Sequence, residues 1–389
     1  MPTVPFRTLQ DRLHHQDMSL GEKLRQISWT YILLIGVVAT IGFFMLYAAA
    51  NGQWDPWAER QVARFGIGLI AMLCLAMVNI RIYLRYAYVF YAISLVLLVA
   101  VDVRGVIGMG AQRWIDFGFI RLQPSELMKI ALVLSLARYF HGLSIEDIGR
   151  PTSLIAPLLM TLAPVALILK QPDLGTALML MMASGIVFFA AGVRLWKFAV
   201  VLAGCLAAIP VGWGMLHDYQ RNRVLTFLNP ERDPLGAGYH ILQSKIALGS
   251  GGMFGRGFMQ GTQSHLNFLP EKQTDFIFTM LAEEFGMVGG LTLLALYTLI
   301  IIFGLVIALR CRHHFGRLLA LGLTANFFLY VFINIAMVMG LIPVVGVPLP
   351  LISYGGTVML TLMCGFGVVQ CVNVHRDLQL GRRGGGEDP

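Results

Sequence analysis

The chain has 389 residues, 57% hydrophobic and only 13% charged, with a formal net charge of +8 and a mean hydropathy of +0.71. Soluble domains carry about 25% charged residues, so the composition excludes a soluble globular enzyme and points to a polytopic membrane protein. The positive charges are dispersed rather than striped, which argues against nucleic acid as a partner.

Residues 1–29 read as a polar, basic tail with a short amphipathic lead-in. No small-residue cleavage site follows the first apolar run, which is expected to stay as an anchor. Stretches of about 20 apolar residues span the hydrocarbon core. Ten are visible, near 30–50, 61–79, 84–102, 124–140, 152–169, 174–191, 196–216, 276–309, 318–341 and 352–374. Backbone groups in lipid need internal partners, so the expected fold is an all-α polytopic membrane protein. A ten-helix membrane domain would cover 30–374, flanked by an N-terminal tail over 1–29 and a C-terminal tail over 375–389.

Between the third and fourth runs, VRGVIGMGAQRWIDFGFIRLQPSELMKI mixes Arg104, Arg113, Asp116 and Arg121 with apolar residues. It is expected to lie on or dip into the interface, with Pro124 opening the next helix. KQPDLGT turns the fifth run into the sixth. The eighth run, 276–309, would be roughly 50 Å long at about 1.5 Å per residue, more than the ~30 Å core. It must tilt, project, or bend near Gly286, Gly289 and Gly290. The Pro- and Gly-rich turn IPVVGVPLPLISYGGT reads as a re-entrant or broken element.

Most Lys and Arg outside the long 217–275 segment fall in alternate loops, including Lys23, Arg25, Arg81, Arg85, Arg138, Arg194, Lys197, Arg310 and Arg376. The positive-inside rule then puts both termini in the cytoplasm and 217–275, between the seventh and eighth helices, in the periplasm. The five cysteines fall in spans or on the inner side, so no outer disulfide framework is expected.

With this topology Arg113, Glu126, Lys129, Lys170, Asp173, Arg221, Arg223 and Asp275 all gather at the outer boundary. Glu126 and Lys129, three apart, share one helical face; a structural ion pair is the plain alternative to a functional one. Asp173 suits a helix N-cap, and Asp275 could cap the eighth helix. Arg221 and Arg223 suit a bidentate grip on phosphate but equally adhesion to lipid headgroups. The glycines between Gly236 and Gly261 permit close backbone approach to a ligand, or simply flexibility. Glu283 and Glu284 are odd in an apolar span and could pair with Arg or Lys from neighbouring helices. Boundary charges of both signs on so many helix ends imply a shared hydrated cavity. No HExxH, CxxC, GxSxG or P-loop signature is present. Outside the cell no nucleotide donor is available, so synthesis there needs a pre-activated substrate such as a lipid-linked diphosphate sugar.

GAQRWIDFG, QPSELMK, QPDLGT, DPLGAGYHILQSKIALGSGG, FLPEKQTDFIF, LAEEFG and PLPLISYGG resemble the signatures of the shape, elongation, division and sporulation family, from about residue 110 to 360. LHDYQRNRV, DPLGAGYH and VVGVPLPLISYGG are similar to its elongation members. The resemblance implies a peptidoglycan glycosyltransferase of the bacterial inner membrane that polymerises lipid II at the periplasmic face during elongation. A class B penicillin-binding protein and other rod-complex membrane proteins would be its partners. It also implies that Asp275 is the essential carboxylate and that Glu126, Lys129 and Asp173 are motif residues. Asp275 would act as general base on the acceptor hydroxyl in an inverting transfer. Lys129, Arg221, Arg223 or a divalent cation (Mg or Mn) would steady the departing undecaprenyl diphosphate; no organic cofactor is expected. A lipid II flippase, or a non-catalytic scaffold for a partner synthase, would use the same charged cavity and stays open at this point.

Overall fold

The computed structural model describes residues 18–108, 111–116, 118, 121–215, 221–222, 225–227, 229, 237–266, 268 and 271–381. The chain enters through a short helix, α1 (Leu20–Gln26), closed at its start by a reciprocal capping box between Ser19 and Glu22. Long apolar helices follow: α2 (Trp29–Ala49), α3 (Ala58–Met77) and α4 (Ile80–Arg104). The segment expected at the interface is the exception to the helical expectation. It forms a small antiparallel sheet, β1 (Val106–Gly108), β2 (Ala111–Asp116) and β3 (Arg121–Leu122), in the order β1-β2-β3 with a bulge after Val106. Alternation of apolar and polar side chains in AQRWID suits a half-covered strand better than a helix.

The chain then continues through α5 (Pro124–Gly142), the single turn α6 (Ile145–Ile148), α7 (Thr152–Lys170), α8 (Leu174–Ala190) and α9 (Leu195–Met215). Pro124 sits in the first turn of α5, as expected. The 217–275 segment carries helices of its own, α10 (Ala237–Ser250) and α11 (Thr262–His265). Last come α12 (Ile277–Arg310), α13 (His314–Val338) and α14 (Gly356–Val374). Among the described residues seven helices (α2, α3, α4, α7, α12, α13 and α14) are long and apolar enough to cross a membrane. Helices also occupy the other three expected places: α8 and α9 are shorter apolar elements, and α5 carries Glu126, Lys129 and Arg138.

α5, α13 and α14 form the centre and are buried on almost every side, whereas α3 and α4 present apolar residues such as Ile67, Ile70, Val89 and Val96 outward. Outward-facing apolar side chains are what lipid, rather than water, would cover. Small residues let the central helices approach closely: a Cβ on Gly367 of α14 would stand 2.7 Å from the Met72 carbonyl of α3.

The Pro- and Gly-rich segment between α13 and α14 is non-helical and enters the bundle. Leu351 and Ile352 are buried, and a Cβ on Gly42, within α2, would stand 2.7 Å from Ile352 Cα. Tyr297, far along α12, donates to the Pro350 carbonyl at 2.6 Å. The long α12 is broken at Gly286, whose φ of 67° and ψ of −163° leave the helix. A left-handed φ of that kind is open chiefly to glycine.

Candidate active site

The break in α12 leaves orphan backbone groups on both sides, and the glycine-rich loop 250–257 satisfies them. Arg256 and Gly257 donate their N–H groups to the Glu283 and Glu284 carbonyls, each at 3.0 Å. The amides of Met287 and Val288 donate in turn to the carbonyls of Gly252 and Met253, at 2.9 and 3.1 Å. Side chains on Gly251 or Gly255 would collide with the carbonyls of Ala282 or Glu284. Close backbone approach is therefore what these glycines provide, with the chain's own helix on the other side.

Glu283 and Glu284 lie fully buried beneath this loop. Glu283 Oε1 accepts the Gln263 amide at 2.8 Å. Glu284 Oε1 faces His265 Nε2 at 3.1 Å, and the other nitrogen of that ring meets Asn51 Oδ1 at 2.7 Å. Burial lowers the His265 pKa, with the charge of Lys272 acting in the same direction and Glu283 opposing. This cluster staples the 217–275 segment to α2 and α12.

A second buried cluster stands at the start of α5. Lys129 Nζ donates to Glu126 Oε1 at 2.7 Å and lies 4.2 Å from the centre of the Tyr330 ring. The Tyr330 hydroxyl bonds both Lys129 Nζ and Glu126 Oε2. All three side chains are almost fully buried, where unpaired charges would be costly, so each is compensated by the others. A cavity of about 20 Å³ touches Glu126, Tyr330, Tyr31 and Asn326, room for about one water molecule.

Asp173 caps α8, its Oδ1 accepting the Thr176 amide at 3.2 Å, and also faces Arg113 Nε at 3.6 Å. A second Arg113 nitrogen donates to the Pro172 carbonyl at 2.6 Å, so β2 is tied to the QPD turn.

Asp275 sits half-buried just before α12. The N-cap position falls to Phe276 rather than to Asp275. Asn334, one helical turn beyond Tyr330 on α13, donates to the Asp275 carbonyl at 2.9 Å and to the Val347 carbonyl at 2.7 Å. The Asp275 carboxylate lies against Gly346, 3.4 Å from where a Cβ would stand. The adjacent Val345 packs on Gly175, two residues after Asp173. The 345–347 strip therefore has the QPDLGT turn on one side and Asp275 on the other. The ISYG stretch is laced to the same place: Tyr354 donates its amide to the Gln273 carbonyl at 2.8 Å, and Ser353 Oγ donates to the Thr274 carbonyl.

Of the expected site residues, Glu126 and Lys129 come together, as do Arg113 and Asp173, and α13 and the 345–347 strip connect these pairs to Asp275. Lys170 lies apart, exposed and 3.4 Å from Asp102. Arg221 directs its guanidinium at the Trp213 and Gly214 carbonyls, at 3.0 and 2.7 Å, near the end of α9. Arg223 lies outside the described residues. Among the described residues no group of three or more His, Cys, Asp or Glu could hold a metal ion.

Three participants escaped the motif reading. Tyr330 and Asn334 are polar residues four apart in an apolar run, a spacing that shares one helical face and would have flagged them. Arg64, a charge within a span, lies over the Tyr354 ring at 4.7 Å and donates to its hydroxyl at 3.2 Å. Its Nη1 is buried without a hydrogen-bond partner, 3.6 Å from where a Gly356 Cβ would stand.

The profile of the family described as "Cell cycle protein" (FtsW, RodA, SpoVE) matches residues 23–378. The chain is 48% identical over 352 residues to peptidoglycan glycosyltransferase MrdB of Escherichia coli (strain K12), covering 89% of this chain and 94% of that one. It is 35% identical to stage V sporulation protein E of Bacillus subtilis (strain 168), covering 89% and 96%. Among solved structures, one described as "Structural coordination of polymerization and crosslinking by a peptidoglycan synthase complex" aligns with a TM-score of 0.79 at 34% identity, covering 91% of this chain and 99% of that one. The rod shape determining protein RodA of Thermus thermophilus aligns with a TM-score of 0.70 at 30% identity, covering 91% and 98%.

Proposed function

The chain belongs to the FtsW, RodA and SpoVE family, and from that premise we propose how its buried charges polymerise a lipid-linked sugar. It is a peptidoglycan glycosyltransferase, a multi-pass protein of the bacterial inner membrane. In the proposed topology ten helices cross the membrane, both termini are cytoplasmic and the 217–275 segment is periplasmic. Contacts between helix ends support the alternation. Lys23 bonds the Met77 carbonyl and Arg312 the Arg376 carbonyl at one end, while His265 meets Asn51 and Thr357 meets Arg121 at the other.

The substrate is lipid II, polymerised during cell elongation. Asp275 is the general base: it takes the proton from the acceptor sugar's 4-hydroxyl as that oxygen attacks the donor's anomeric carbon. The bond to undecaprenyl diphosphate breaks in the same displacement, so an α-linked donor yields a β-linked product. The observation that carries this reading is the seating of Asp275, its backbone held by Asn334 and its carboxylate against Gly346. Glu126, Lys129 and Tyr330 form the wall one turn along α13, and Arg113 with Asp173 forms the wall across the 345–347 strip. Arg64, with a buried N–H unspent, joins Lys129, Arg221 and Arg223 as cationic partners of the departing diphosphate.

The protein's own donors do not make a metal site among the described residues, so a Mg or Mn ion belongs in the proposal only as a companion of the diphosphate, whose oxygens complete such a shell. A class B penicillin-binding protein and further rod-complex membrane proteins are the proposed partners, in keeping with the peptidoglycan synthase complex to which the fold is similar.

Purified protein given lipid II in detergent should make glycan, and Asp275→Asn and Asp275→Ala should not. A flippase leaves no product without a bilayer. Polymer formed by either variant at the wild-type rate would remove Asp275 from the mechanism, and a chelator arm measures the dependence on a divalent ion.

A further inference from the structure

At the opposite end of the bundle from Asp275, a cavity of about 340 Å³ opens between the start of α2, the last turns of α12 and the end of α14. One wall is apolar, from Ile302, Phe303 and Val306; the other is polar, from Arg310, Asn373 and Arg376. None of these residues takes part in the glycosyl-transfer site.

Arg310 is exposed and has no side-chain partner among the described residues. Arg376 reaches Asn373 Oδ1 at 3.5 Å and Asp377 at 3.5 Å, but Asp377 is shared with Arg312 at 3.4 Å. Among the described residues three guanidiniums are thus matched by one carboxylate, which leaves a positive excess at the mouth. Ile302 lies eight residues before Arg310, about 12 Å deeper along the helix, a depth that falls inside one half of a ~30 Å hydrocarbon core.

We propose that this cavity binds an anionic phospholipid of the inner leaflet. Its phosphodiester rests between Arg310 and Arg376, and one acyl chain runs along Ile302, Phe303 and Val306. The charge excess selects an anion, and the apolar wall at acyl depth selects a lipid over a free phosphate, which would leave that wall uncovered. The site lies at the membrane edge by virtue of α12 ending there, so it stands independently of the assignment of Asp275.

The test is native mass spectrometry of protein purified from micelles containing equal phosphatidylglycerol and phosphatidylcholine. Wild type should retain phosphatidylglycerol preferentially. The double variant Arg310→Gln, Arg376→Gln should lose that preference at least about five-fold, given roughly 1 kcal/mol per arginine near a charged surface. Val306→Trp, which fills the apolar part and keeps both arginines, should lower retention of both lipids, and it carries the test if the double variant does not fold. Equal preference in wild type and the double variant, or unchanged retention in Val306→Trp, overturns the proposal. Displacement of the lipid by a large excess of inorganic phosphate would show a simple anion site and also overturns it. Neutralising the C-terminal carboxylates with Glu387→Gln and Asp388→Asn should change nothing; a rise in lipid retention would make the tail the occupant instead.

Discussion

Asn334 holds the backbone of Asp275 in place, its side-chain amide donating to the Asp275 carbonyl at 2.9 Å. The same nitrogen reaches Val347 at 2.7 Å, so one side chain clamps the start of α12 to the segment that re-enters the bundle. Replacing Asn334 by Leu leaves two carbonyls without that donor, a loss of about 1–3 kcal/mol for a buried group. Because Asn334 positions the proposed base, kcat should fall about ten-fold or more while KM for lipid II changes little. A fall in thermal stability with kcat intact would make the clamp purely structural.

Lys129 is the hinge of the buried Glu126–Lys129–Tyr330 cluster. Lys129→Met strands Glu126 in an apolar interior, and breaking a buried pair in this way costs about 3–5 kcal/mol. Adding Glu126→Gln removes the stranded charge, so the double variant should be more stable than Lys129→Met alone. Thermal melts of the two single variants and the double variant in one detergent measure the coupling; simple additivity would contradict it.

Gly255 and Gly286 meet where the glycine-rich loop caps the broken α12. A Cβ at either position collides with facing backbone, and both have positive φ, 81° and 67°. Gly255→Ala and Gly286→Ala should each destabilise by about 1–3 kcal/mol, whereas Gly249→Ala, with nothing within 4 Å of its added Cβ, should be close to neutral. Limited proteolysis in the 250–270 region reads the difference directly.

His265 makes the same staple pH-sensitive. Burial holds its pKa below the ordinary 6.5, so in the window just below pH 6.5 the unfolded chain binds a proton that the folded protein refuses. Stability is therefore complete above about pH 6.5 and declines as the pH drops from there toward the folded-state pKa. His265→Gln keeps a hydrogen-bond donor toward Glu284 without the titration. The melting temperature of wild type should drop more than that of His265→Gln between pH 7.5 and pH 5.5; parallel curves would exclude the imidazole as the cause.

Hydropathy, glycine placement and loop charge are local properties of the chain, and they sufficed for the apolar runs, a bend near Gly286, Gly289 and Gly290 as one way to fit the long α12, the irregular turn before α14 and the shared helical face of Glu126 and Lys129. The motif spacing also placed Asp173 and Asp275 at helix starts. Tyr330 joins Glu126 from 204 residues away, and Asn334 reaches Asp275 across 59. Such partners are chosen by how helices pack, and packing geometry is not written in the order of apolar and polar residues along the chain. The same reason explains why Glu284 found a histidine, and why Lys170 turned outward to Asp102. Sequence alone marked out the apolar runs and the charges that flank them, because transfer free energy sums residue by residue. Only the tertiary structure decided which of those charges share a site, because a buried charge is stabilised by neighbours that the fold alone brings within reach.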